Sequence, residues 1–108
     1  MNNKGGYVYL LCDLDKEKTY KIGVTRGDIN KRIKKLQTGN SGEIHLVNYH
    51  KSEAPFFVEK HLHHYYNKTN IRNEWFLLTD EEAMEFKNNC LKIEDIYEAL
   101  KDNPFFKK

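Results

Sequence analysis

Apolar and polar positions along the chain follow two periods, and the change from one to the other outlines the elements. Tyr7-Val8-Tyr9-Leu10-Leu11-Cys12 is a β-rich run, and Thr19 to Thr25 (TYKIGVT) is a second, with the polar stretch Asp13 to Lys18 between them. Two such runs joined by a short polar connection predict an antiparallel hairpin. Strict alternation sets Tyr7 and Tyr9 on one face of the first strand and Val8, Leu10 and Cys12 on the other. In the second strand Tyr20, Ile22 and Val24 share a face, opposite Lys21, Gly23 and Thr25. With the aliphatic faces as core, Tyr9 and Lys21 are expected to project together from an open face of the hairpin.

The period then lengthens. Asp28 is an N-cap for a helix to about Gln37, with Ile29, Ile33 and Leu36 as its buried stripe and Gly39 as its stop. Glu43 to Tyr49 alternates as a third strand, and Ala54 to Tyr66 reads as a helix with Pro55 in its first turn. Ala54, Val58, Leu62 and Tyr65 form its apolar stripe, with Glu59, His63 and Tyr66 beside it. Asn67 to Asn73 reads as a polar loop and Trp75 to Leu78 as a short apolar segment. Thr79 with Glu82 is a capping-box pattern, and Ile93, Ile96, Tyr97 and Leu100 mark a last helix. The expected fold is a single α+β domain. A short antiparallel three-stranded sheet is flanked by helices in β-β-α-β-α order over residues 6–78, followed by a helical C-terminal extension over 79–108.

Composition narrows the class. At 108 residues, 39% hydrophobic and 31% charged, the chain suits one globular domain, and no apolar run has the length of a membrane span. The first residues, Met1 to Lys4, lack the apolar core of a secretory leader, and Cys12 and Cys90 form no paired motif. An intracellular protein with reduced thiols is expected. The net charge is only +2, but its distribution is uneven. Residues 16–35 hold eight basic side chains against two acids, and residues 80–102 hold eight acids against three lysines. A basic face beside an acidic one guides a polyanion, although lysines on an exposed helix also serve simply to solvate it.

Phosphate-binding loops, serine-nucleophile elbows and zincin motifs are all missing, so nucleotide hydrolysis, serine acyl transfer and zincin chemistry have no support. The run His61-Leu62-His63-His64 does not close a zinc shell with the distant cysteines. Glu59 and His63, four apart on a helix, suit either a shared metal or a surface hydrogen bond. Tyr7-Val8-Tyr9, then Lys21-Ile22-Gly23, then Arg32 in one helix and Glu59 in a later one resemble, in order and spacing, the GIY-YIG nuclease superfamily. The stretches GYVYLL, YKIGVTRGDINKRIKKLQTGN, APFFVEKHLHHYY and NEWFLL are similar to its small phage and virus branch, named for an open reading frame of a T-odd coliphage. The resemblance spans Gly6 to Leu78.

That resemblance implies a DNA endonuclease or nickase hydrolysing phosphodiester bonds with one Mg2+ or Mn2+. It gives Tyr9 the role of general base or positioner of the attacking water, Arg32 that of binding the scissile phosphate, and Glu59 that of metal ligand. Lys21 stands where the second triplet usually begins with tyrosine; its ammonium is expected to favour the Tyr9 phenolate. Leu36 stands where many members have histidine or tyrosine, with His63 or His64 as substitutes from the other helix. Glu74 reads either as a second acid or as a solvated neighbour of the anchoring Trp75 and Phe76. DNA contacts are expected from Thr25, Arg26, Lys31, Lys34 and Lys35 to phosphates, and from Gln37, Thr38 and Asn40 to backbone or bases. Specificity is expected to be modest or supplied by a homodimer or a partner. The alternative readings are a catalytically inactive DNA-binding module on the same fold, and an adaptor using the acidic C-terminal helices and Phe105-Phe106.

Overall fold

The computed structural model describes residues 5–102, which leaves Phe105 and Phe106 outside the described residues. Among these residues five strands form one antiparallel sheet in the order β3 (Ile44–Ser52), β1 (Gly6–Asp13), β2 (Thr19–Thr25), β5 (Trp75–Leu77), β4 (Asn70–Arg72). The predicted hairpin is β1 (Gly6–Asp13) and β2 (Thr19–Thr25), with Tyr9 opposite Gly23 and Leu11 opposite Lys21. The strand β3 (Ile44–Ser52) pairs with β1, and a bulge falls between Leu10 and Leu11.

The sheet is wider than the pattern suggested. Two three-residue strands, β4 (Asn70–Arg72) and β5 (Trp75–Leu77), form a second hairpin that docks on β2. Strands this short leave no alternation to read, so β4 looked like loop. Asn73 turns the hairpin with φ 51°, the left-handed conformation that asparagine tolerates.

Helices cover both faces of the sheet. On one lie α2 (Pro55–Tyr65), α3 (Asp80–Met84) and α4 (Phe86–Lys101), where Val58, Leu62, Ala83, Phe86 and Cys90 join Val8, Leu10, Ile22 and Phe76 in the main core. The C-terminal helices thus close the same core as the first hairpin. The predicted capping box at Thr79 is present, with both reciprocal hydrogen bonds formed. The residue that continues the stripe of α2 is Tyr66, which caps its C-terminal end and is 3% exposed, while Tyr65 stands 66% exposed. The four-residue spacing from Val58 and Leu62 carries on to Tyr66, whose hydroxyl meets the Glu82 carbonyl and the Asn89 amide.

On the other face lies α1 (Ile29–Thr38), capped by the Asp28 carboxylate on the Lys31 N–H as expected. Its Ile33 and Leu36 pack with Tyr9, Leu11, Ile44 and Trp75 in a second cluster. The face expected to be open is therefore covered: Tyr9 and Leu11 are 0% exposed. The α1–β3 loop is tied to β1 through buried Asp13, which accepts from the Asp15 N–H and from Asn40 Nδ2. A Cβ at Gly42 would strike the Asp13 carboxylate, so this approach requires glycine.

Candidate active site

Four segments meet at one open pocket of about 670 Å3, lined by Lys21, Arg32, Glu59, His63, Asn73 and Glu74. Each arrives for a local reason. Lys21 follows from alternation in β2, and Arg32 from its place at the edge of the apolar stripe of α1. Glu59 and His63 stand one turn apart on α2. The β4–β5 turn delivers Glu74, whose carbonyl accepts from the Ile22 N–H at 3.1 Å and so pins the turn to β2.

Behind the pocket, Arg32 Nε donates to Tyr9 Oη at 3.5 Å. Burial pushes the Tyr9 phenol above its ordinary value of 10.0, and the adjacent guanidinium offsets only part of that rise. The expectation that Lys21 favours a Tyr9 phenolate is corrected here. The cation beside Tyr9 is Arg32, whereas Lys21 Nζ pairs with Glu74 Oε1 at 3.1 Å and lies 5.4 Å from the Trp75 ring centre. Tyr9 is a neutral phenol.

His63 Nε2 lies 2.9 Å from the Ile22 carbonyl and 3.8 Å from Glu59 Oε2. A carbonyl only accepts, so Nε2 carries a proton, and in the neutral ring Nδ1 is then the accepting nitrogen. His64 is exposed and outside the pocket lining, so α2 supplies one imidazole here. Partial burial is the largest influence on Glu59 and raises its carboxyl above the ordinary 4.5; the Glu74 charge raises it further, while His63 and Lys21 lower it.

The residues expected to contact DNA divide into two groups. Lys31, Lys34 and Lys35 are exposed on α1, and exposed Arg26 stacks its guanidinium 4.9 Å from the Phe56 ring centre. Thr25 Oγ1 accepts from the Gly27 N–H and shapes the turn into α1, while Thr38 Oγ1 donates to the Lys35 carbonyl. Gln37 and Asn40 face inward. Gln37 donates to the Asn40 and Gly42 carbonyls and accepts from the Ile44 N–H, and Asn40 donates to Asp13 and Gly42. Their amides are spent on holding the α1–β3 loop rather than offered to DNA as expected. Asn73 and Glu74 gain their places only through the β4–β5 hairpin. The Asn-Glu pair between NIR and WFL is the one local signal for that turn.

A family model, that of the T5orf172 domain, matches residues 6–92. The chain belongs to the T5orf172 domain family. This corrects the GIY-YIG resemblance: T5orf172 is a different family, and no GIY-YIG model matches. The T5orf172 match also runs past Leu78 into α4, in keeping with the burial of Phe86 and Cys90 in the main core. No curated protein and no solved structure matches the chain. Among the described residues of this T5orf172 domain, no helix is long and apolar enough to cross a membrane.

Proposed function

We propose that this pocket hydrolyses phosphodiester bonds in DNA, acting as a metal-dependent endonuclease or nickase. The observation that carries the reading is the convergence of a guanidinium, an imidazole and two carboxylates on one open pocket beneath a lysine-rich helix. Arg32 is always charged, and its planar fork suits the non-bridging oxygens of a phosphate. Its Nε is anchored on Tyr9, which leaves the terminal nitrogens for the substrate. Neutral, fully buried Tyr9 positions Arg32 from behind the pocket. His63, with Nε2–H committed to the Ile22 carbonyl, offers Nδ1 as the acceptor for the proton of the attacking water.

The donor set fits Mg2+ or Mn2+. Glu59 and Glu74 repel one another in a partly buried pocket, and a hard divalent cation on Glu59 relieves that repulsion. Among the described residues no three His, Cys, Asp or Glu side chains are grouped as a metal site, so water and phosphate oxygens would complete the shell. When bound, such an ion supplies charge neutralisation on the phosphate and the departing oxygen.

The test is a panel of supercoiled plasmid, single strands and branched junctions incubated with Mg2+ or Mn2+. Cleavage that is lost with EDTA, in Glu59→Ala and in Arg32→Ala is the expected result. Undiminished cleavage by Glu59→Ala would overturn the assignment. Salt-sensitive binding without cleavage of any substrate would make the domain a DNA-binding module instead.

A further inference from the structure

The pocket is one end of a longer groove. Lys21 also lines a neighbouring concavity of about 250 Å3, and Asn73 lines another of about 380 Å3. These two share Gly39, Asn40 and Trp75, so the three depressions adjoin one another. The path leaves Arg32, passes between the C-terminal end of α1 and the β4–β5 hairpin, and ends at the β1–β2 turn.

Its walls carry Lys35, Arg72 and Lys16, and among the described residues none of the three forms an ion pair. Of the acids nearby, Asp13 lines the groove and Glu74 the adjoining pocket. Asp13 is 3% exposed and accepts from Asn40 and the Asp15 N–H, and Glu74 is held by Lys21. Half-buried Trp75 lies midway along the path, an apolar wall for a sugar or a base. A groove with three cations outside ion pairs and an aromatic wall, leading out of the proposed phosphate site, matches the chemistry of a nucleic-acid strand.

We infer that this groove binds the DNA strand on one side of the scissile phosphate, with Lys35, Arg72 and Lys16 each neutralising a flanking phosphate. The inference rests on the phosphodiester reading above. It makes the β4–β5 hairpin a substrate-binding element, and it explains why a turn that brings Glu74 to the pocket also presents Arg72 beside it. Phosphates on the other side of the cut are left to the exposed Lys31 and Lys34 of α1.

The experiment measures binding of a short fluorescein-labelled DNA strand by anisotropy across a salt series, in EDTA so that cleavage does not intervene. Lys16→Ala, Lys35→Ala and Arg72→Ala are each expected to bind about threefold more weakly, with a salt slope shallower by about 0.7 per charge removed. Arg72→Lys keeps the wild-type slope. Lys92→Ala, exposed on α4 outside the groove, binds as wild type. If Arg32→Ala loses binding while the three groove variants match wild type, the strand leaves by another route; the inference falls and the functional reading stands. If the wild-type protein binds no strand at all, the functional reading falls and takes the inference with it.

Discussion

Tyr9 stands directly across from Gly23 in the β1–β2 ladder, and its ring fills the space that a side chain at position 23 would need. A Cβ there would come within 2.6 Å of Tyr9 Cζ and closer still to the hydroxyl. The ring cannot swing away, since Tyr9 is fully buried under α1. Gly23 therefore sets the height of the phenol above the sheet, and with it the point at which Arg32 is anchored. Gly23→Ala is expected to destabilise the fold by about 1–3 kcal/mol through overpacking, measured by urea unfolding. An unchanged denaturation midpoint would mean that the ring has somewhere else to go.

Tyr9→Phe keeps the ring and removes only the oxygen that accepts from Arg32. Folding stability is expected to stay within about 1.5 kcal/mol of wild type, the net worth of one hydrogen bond. Cleavage is expected to drop about tenfold or more, as the phosphate-binding group loses its anchor. Because burial holds Tyr9 as a neutral phenol, the pH profile of the remaining activity should keep its shape. A lost or displaced alkaline limb would instead restore the phenolate role.

Glu59 gives a pH-dependent signature. Its folded carboxyl lies above the ordinary 4.5, so ionising it costs stability; the cost is absent in strong acid and is fully felt once pH has risen through the folded value. Glu59→Gln removes that cost. The variant should be more stable than wild type at pH 7, with the difference vanishing below about pH 4. Equal stability across the range would show that the carboxylate is not strained.

Its neighbours should move Glu59 in opposite directions. Lys21→Met removes a charge that lowers the Glu59 carboxyl, so its titration by carbon NMR should shift to higher pH. Glu74→Gln removes a charge that raises it, and the titration should shift to lower pH. Shifts of the same sign in both variants would contradict the arrangement of the pocket.

Far from the pocket, Glu94 ties α4 to the end of β3. Its carboxylate receives His50 Nε2 at 3.0 Å, Ser52 Oγ at 2.6 Å and the Glu53 N–H at 3.3 Å. Glu94→Ala leaves buried His50 and Ser52 without their acceptor, at about 1–3 kcal/mol for each such group. Thermal unfolding should show a large loss in Glu94→Ala and a smaller one in Glu94→Gln, which keeps a side-chain oxygen as acceptor.

What the sequence alone determined are the features that depend on near neighbours. The first hairpin, the Asp28 cap, the Thr79–Glu82 box and the pairing of Glu59 with His63 on one helical face all follow from spacings of two to four residues. Burial pushes the Cys90 thiol up to about 12. Tertiary structure decided the rest. Alternation shows that Tyr9 and Lys21 share a face but not that α1 closes over it, because the half-apolar stripe of a short helix does not say which surface it will cover. The β4–β5 hairpin left little to read beyond the apolar run of β5 and the Asn73-Glu74 turn, since three-residue strands have no period and are held by pairing with β2. That docking brings Glu74 to Lys21, raises Glu59 and extends the groove to Arg72. It joins residues some fifty positions apart in the chain, a separation over which no local pattern of polar and apolar residues carries information.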